Sequence, residues 1–511
     1  MRWARFALLG LSIAAGCSGS TAPAAGVITV AIRSSPNNLD PRRANDEVTA
    51  RVGQLVFTPL MDWSDDLRAV PKLALRLDNP DPLTYVAHLR RGVKFHDGHE
   101  LTAKDVVYTY ESLLADEFVS PYKSAFRSLA SVRGLDAYTV EFKLTEPFAA
   151  FPLQLVTPPI VPDGAGESLS TTPVGTGPYR FIRYLVDDRV ELAAFDDYYD
   201  GRPDNAGVVL KVIPDDTMRG LELRKGTVDL TINDMPPDIV HQLESSGEVT
   251  VERSPGLDFY YVGFNMQDPV LANKRVRHAI GYAINRQSIV DYLRRGLARP
   301  AVGLVTSLAW AHEPDVFQFT YDPARARRLL DEAGYPDPDG NGPLPRLRLT
   351  MKISTNEEYR LQCIVMQQDL KQVGIDLELR SYEFATMFAD VLKGNFQVTG
   401  LQWVGGAVGD PDILRRVYHS SQMPPVGFNR GRFSNPEVDR LIDLATVALT
   451  DEDRRKYYSA VQKLVAEEAV YIPIWSRINA VVARPGLTGI KINPMGDFQA
   501  LALAKKAAVS P

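Results

Sequence analysis

The residue types able to do chemistry in this 511-residue chain fall into a few small groups. His96, His99 and Glu100 lie within one polar turn. They offer metal-ligand atoms, but the third convergent ligand of a zinc site is not apparent, and a hydrogen-bonded turn histidine explains them as well. Asp337-Pro338-Asp339-Gly340-Asn341-Gly342 opens like a calcium loop, yet Arg348 stands where the bidentate Glu is needed, so a polar turn is expected. Gly175-Thr176-Gly177 has the glycines of a phosphate cradle, without the lysine or helix start that would complete one. Cys363 shares a helical stripe with Tyr359, Met366, Leu370 and Val373, which predicts a buried, inert thiol. No GxSxG elbow, P-loop lysine or HExxH occurs. These groups predict no catalytic residues, no resident metal and no cofactor.

A chain of this length predicts two to four compact units. Its 45% hydrophobic and 23% charged residues are those of a soluble globular protein. The net charge of −6 argues against a nucleic-acid partner, which would need a basic stripe. Arg2 and Arg5 precede the apolar run from Phe6 to Ala15, and Gly16-Cys17 follows, as in a secretory signal. Cys17 after small residues predicts a lipidated N-terminus at the end of a signal peptide over 1–17, with 18–26 as a flexible tether. The alternative is an ordinary secreted protein cut near Ala22 or Ala25. No later apolar run is long enough to span a membrane.

The elements that would position these groups follow from periodicity. Leu83, Tyr85, Ala87 and Leu89 alternate with polar residues as a strand. Gly92, Asp97 and Gly98 make a turn, and Thr102 caps a helix whose core face is Val106, Val107, Tyr110, Leu113 and Leu114. Asn45 or Asp46 caps a helix running to Leu55. Leu349 to Asp410 reads β-α-β-α-β, which implies parallel strands with ligands beyond their carboxyl ends, at Ser354-Thr355 and from Trp403 to Asp410.

The run Leu89-Arg90-Arg91-Gly92-Val93-Lys94-Phe95-His96-Asp97-Gly98-His99-Glu100-Leu101-Thr102-Ala103-Lys104-Asp105 resembles the signature of the extracytoplasmic solute-binding proteins of peptide and nickel ABC importers. The resemblance continues in order along the chain: Val70-Pro71-Lys72-Leu73-Ala74, Gly175-Thr176-Gly177-Pro178-Tyr179-Arg180-Phe181, Phe259 to Asn265, Lys274 to Val290, and the strand ending at Trp475. The basic residues of Lys274 to Arg286 are expected on a solvated helix face.

The resemblance implies an α/β, two-lobed periplasmic-binding-protein fold (class II-like, cluster C) with an inserted subdomain in the first lobe. The divisions it implies are 27–57, 174–264 and 477–511 for lobe I, 58–173 for the inserted subdomain, and 265–476 for lobe II. It also implies capture of a peptide or other small solute by hinge closure, delivery to ABC permease transmembrane subunits, and a monomer attached to the membrane through a lipid anchor only, in the periplasm or cell envelope. Peptides, nickel complexes, opines and oligosaccharides are all cargo of the family. The binding residues expected on this basis are Ser34, Ser35, Asn45, Asp46, Asn233, Tyr260, Tyr261, Thr355, Trp403, Gly405, Gly406 and Asp410.

In peptide-binding members an aspartate three residues after the tryptophan pairs with the peptide's amino terminus. Here that position is Gly406. Asp410 either supplies an acid nearby or caps the helix beginning at Ile413. No arginine for a carboxyl terminus stands near Ser354 and Thr355. The cleft is therefore expected to take a longer, capped or non-peptide solute, held by backbone amides and by aromatic surface from Trp403, Tyr260 and Tyr261. An exported hydrolase and a lipoprotein acting by protein contact are the rival classes.

Overall fold

The computed structural model describes residues 26–340, 342–405, 409–448 and 450–506. Its backbone is one long sheet, eleven strands among the described residues. One half begins with Val27–Ile32, which pairs in parallel with Gly207–Val212 and with Leu230–Ile232. Two antiparallel strands, Arg189–Ala194 and Tyr179–Leu185, extend that half. The other half is Leu347–Ser354, parallel to both Ile375–Tyr382 and Val398–Trp403, as the β-α-β-α-β pattern predicts.

Two long strands belong to both halves. Thr250–Phe264 and Tyr471–Ala483 run antiparallel, from Thr250 opposite Ala483 to Gly263 opposite Tyr471. Their register breaks between Pro255 and Phe259. At that break Gly256 lies so close to Asn479 that a Cβ there would sit 2.6 Å from its Oδ1. The fold is therefore two lobes whose sheets share a pair of crossing strands. Each lobe has its own apolar core: one around Val30, Val52, Leu210 and Phe498, the other on both faces of the second half-sheet, around Met351 and Cys363 on one side and Tyr261 and Val461 on the other.

A separate four-stranded antiparallel sheet, in the order Ala74–Asp81, Thr84–Leu89, Thr139–Leu144, Leu129–Asp136, has a third core under the helix Ala103–Leu114. That helix is capped as expected, with Thr102 and Asp105 forming a capping box. Tyr85, Ala87 and Leu89 are buried, whereas Leu83 falls in the preceding turn and is exposed. A hairpin of Met61–Trp63 and Ala69–Pro71 projects from this unit. At its tip Leu67, at φ 61°, is fully buried in the apolar cluster of the second lobe. Arg68 beside it pairs with Asp451 and lies over the Trp310 ring at 4.9 Å. The hairpin thus bridges the two lobes.

One expectation is corrected. Of the basic residues on Lys274–Ala283, Lys274 and Arg275 face solvent, but Arg277 and His278 are buried. Arg277 donates to the carbonyls of Leu271 (2.8 Å), Ala272 (3.0 Å) and Glu468 (2.6 Å). A guanidinium can satisfy several orphan carbonyls at once, and here it clamps the end of the helix Asp451–Glu467. A helical charge pattern does not distinguish such a clamp from a solvated face.

The glycines of Gly175-Thr176-Gly177 serve close packing. Gly177 N–H donates to Val56 C=O at 2.9 Å, at the end of the helix Glu47–Val56. A Cβ on either glycine would overlap the Val56 peptide group. His96 ties the same strap from the other side: its Nδ1 accepts from Gly175 N–H (3.3 Å) and its Nε2 donates to Gly177 C=O (3.0 Å). Burial pushes the imidazole down to about 4, so the ring stays neutral, as that pattern requires. Gly175→Ala is expected to destabilise the protein by about 2 kcal/mol, because backbone must move to admit the methyl. Urea unfolding measures this; an unchanged midpoint would show the strap is not close-packed.

Candidate functional site

Between the lobes and the inserted unit lies a cavity of about 670 Å³. The helix Glu47–Val56 presents Thr49, Gly53 and Gln54 to it, and the bridging hairpin contributes Trp63. Tyr122, Arg127 and Phe148 come from the inserted unit. From the second lobe come Asp410, Asp412, Ile413, Arg416 and Phe428, and Met495 and Asp497 close it from the C-terminal segment. The walls are thus aromatic, with a few charged groups.

The charges differ in how they are satisfied. Asp62 pairs with Lys72 at 3.3 Å. Asp412 is held by the Arg415 guanidinium at 2.9 and 2.7 Å. Asp497 accepts from Asn493 (2.9 Å) and from Gln499 N–H (3.2 Å), and burial still raises it to about 6. Among the described residues Asp410 accepts one bond, from Asp412 N–H at 2.5 Å, and its buried Oδ2 has no partner. Burial, and then the neighbouring Asp412 charge, push Asp410 up to about 7. It leads the turn into the helix Ile413–Tyr418, where its C=O accepts from Ile413 N–H at 3.1 Å. Local capping therefore occupies only one of its two oxygens, and the other is open to a hydrogen-bond donor or a cation.

The residues expected from sequence are placed as follows. Asp410 lines the cavity. Asp46 caps the helix Glu47–Val56 and accepts from the Thr49 hydroxyl at 2.5 Å, so it orients a cavity residue without reaching the cavity itself; Asn45 beside it is exposed. Ser35 bonds Asp187 at the edge of the first lobe, and Ser34 next to it is exposed. Asn233, at φ 58°, joins Asn479 at the crossing strands (3.2 Å). Thr355 is exposed beyond its strand, with its N–H on Tyr382 C=O.

Tyr260 and Tyr261 are both 1% exposed and lie on opposite faces of the second half-sheet. Tyr260 stacks on Tyr359 and Trp475, and Tyr261 on Tyr471, so neither supplies cavity surface. Trp403 is 5% exposed and stands behind Phe428, with ring centroids 5.4 Å apart. Gly405 N–H is bound by Asp258 at 3.0 Å. Gly406 and Cys17 lie outside the described residues.

Sequence reasoning missed the aromatic wall of Trp63, Tyr122, Phe148 and Phe428, and the arginines Arg127 and Arg416. Only Arg416 carried a signal, standing six residues after Asp410 on a helix already expected there. Cys363 is buried as predicted, with its thiol pushed up to about 12 by burial. Among the described residues no group of three or more His, Cys, Asp or Glu is arranged to hold a metal, and no helix is long and apolar enough to cross a membrane.

A shared crossing-strand sheet with a roomy, mixed cavity between its halves is the architecture of a two-lobed solute-binding protein. Residues 68–425 match the bacterial extracellular solute-binding proteins, family 5 middle, and the chain belongs to that family. It is 27% identical to the oligopeptide-binding protein AppA of Bacillus subtilis, over 89% of this chain and 87% of that one. It is 29% identical to the glutathione-binding protein GsiB of Shigella flexneri, over 97% of each. Among solved structures it is similar to the ABC transporter substrate binding protein CtaP of Listeria monocytogenes, at TM-score 0.83 and 26% identity, over 94% of this chain and 99% of that one.

The raised Asp410 has a measurable consequence. Its carboxyl ordinarily titrates at 3.8 and in the fold at about 7, so the folded state holds the proton more tightly than the unfolded state between those values. Stability is therefore lost as pH rises through that window. Asp410→Asn is expected to flatten the slope of unfolding free energy between about pH 4 and 7. Asp497 leaves a residual slope in the lower part, having its own raised value of about 6. Denaturant titrations at several pH values test this; equal slopes in both proteins would place the Asp410 carboxylate in water.

Proposed function

We propose that the chain is the substrate-binding component of an ABC importer. It captures a peptide or peptide-like solute outside the cytoplasmic membrane, by closure of the two lobes, and delivers it to the permease. The observation that carries this reading is the cavity between the lobes, where Asp410 keeps a buried oxygen without a partner among the described residues, amid an aromatic wall. An aromatic wall accepts varied side chains, and an unpaired buried acid favours a solute with a cationic group. The family, and the names of the oligopeptide-binding, glutathione-binding and ABC-transporter relatives, support the same reading.

In this account 27–57, 174–264 and 477–511 form lobe I, 58–173 the inserted subdomain and 265–476 lobe II. Residues 1–17 carry a signal peptide that ends at the lipidated Cys17, and 18–26 tether a monomer to the membrane in the periplasm or cell envelope. The protein catalyses no reaction: binding energy is used for closure and selection.

Native mass spectrometry of the folded protein beginning at Ser18 tests this. A single adduct of peptide-like mass, lost on denaturation, is the expected result. A glycan or metal-complex mass would replace the solute class. An apo protein that no peptide, glycan, opine or metal stabilises against heat would overturn the binding reading.

A further inference from the structure

Two arginines line the cavity from different bodies, and neither is ion-paired among the described residues. Arg416, on the helix Ile413–Tyr418 of the second lobe, packs its guanidinium over the Phe428 ring at 4.4 Å. That stacking uses one face of the guanidinium and none of its N–H donors. Arg127 follows the short turn Lys123–Phe126 of the inserted unit and lines the same cavity. Neither guanidinium has an ion pair or hydrogen bond among the described residues. Arg415, the neighbour of Arg416, is by contrast bound to Asp412 through two contacts.

The two charges sense one another. Arg416 is pushed down first by burial, against the pull of Asp412 and Asp410, with the Arg415 and Arg127 charges adding to the downward push. Two like charges lining one cavity, each with donors open to a ligand, are better placed when an anion lies between them. Among the described residues, the cavity groups without an ion pair are then Asp410, the hydrogen-bonded Asp497 and these two bases.

We propose that Arg127 and Arg416 form an anion clamp that closes on a carboxylate of the solute, one arginine from each side of the cleft. The clamp rests on the solute-binding reading above and narrows it. The preferred solute carries a free carboxylate at one end and a cationic group for Asp410 at the other. A capped, neutral solute leaves both arginines unpaired at closure. Because Arg127 and Arg416 sit on different bodies, the carboxylate also links ligand selection to closure, since only the closed state engages both.

The test uses calorimetry on the chain beginning at Ser18, with a pool of tri- to pentapeptides bearing free carboxyl termini and the same pool as C-terminal amides. The free acids are expected to bind tighter by about tenfold or more, the usual worth of a charge-assisted contact. Arg416→Gln and Arg127→Gln should each weaken the acids to near the amides, while Arg416→Lys retains part of the preference. Equal binding of acids and amides by the unmutated protein, or undiminished discrimination in both glutamine variants, overturns the clamp.

If no peptide binds, the peptide reading fails and the clamp is judged separately by thermal shift with glutarate against chloride at equal ionic strength. Stabilisation lost in Arg127→Gln and Arg416→Gln supports it, and no stabilisation of the unmutated protein refutes it.

Discussion

The structure depends on the antiparallel pairing of Thr250–Phe264 with Tyr471–Ala483. These strands make one sheet of two lobes, and everything else is hung on one half or the other. Continuous pairing resists shear, but the register break between Pro255 and Phe259 interrupts it where the halves meet. Polar groups collect there in place of ladder bonds. Asp258 binds Arg477 (2.7 Å), Gln402 (2.7 Å) and Gly405 N–H, and Asp234 binds Arg33 (2.8 Å) and Arg51 (3.1 Å). Such directional bonds fix an angle between bodies more sharply than apolar contact, and they exchange readily with water when the angle changes.

That constraint explains where the free polar groups are. Near the crossing strands the acids Asp258 and Asp234 each find basic partners within the protein. Asp410, Arg127 and Arg416 lie on elements that belong to different bodies, and none has an ion pair among the described residues. An unpaired acid in a cavity costs free energy in the empty protein and returns it when a cation arrives. Leu67 adds an apolar counterpart: a residue in left-handed conformation at a hairpin tip, buried in the other lobe.

Much of this was legible in the sequence. Strand alternation, caps at Asp46 and Thr102, and the β-α-β-α-β run are local signals, and each appears in the structure. The resemblance supplied the two-lobed arrangement, which no local signal carries. The site was read less well, for a physical reason. Trp403, Tyr260 and Tyr261 end or flank strands whose carboxyl ends approach the cleft, but period-two alternation cannot say which face is covered by a second layer. The tyrosines went to opposite faces of the second lobe's sheet, and Phe428, from a segment without periodicity, came to stand in front of Trp403. Arg127 sits in an irregular stretch where spacing predicts nothing. The buried Arg277 escapes for another reason, since one of the carbonyls it clamps, that of Glu468, is distant in sequence.

The central claim is that the inserted unit and the second lobe close on a solute about the crossing strands. It is tested most directly by a distance between those bodies. Val119 and Val447 are exposed, one on each, and Cys363 is buried, so Val119→Cys and Val447→Cys accept spin labels without competition. Pulsed electron resonance with and without saturating free-acid peptide pool gives the distance distribution. The account predicts a distribution that narrows and shortens when solute is present, and that broadens towards longer distances in Leu67→Ala without solute. A distribution unchanged by saturating solute would contradict closure.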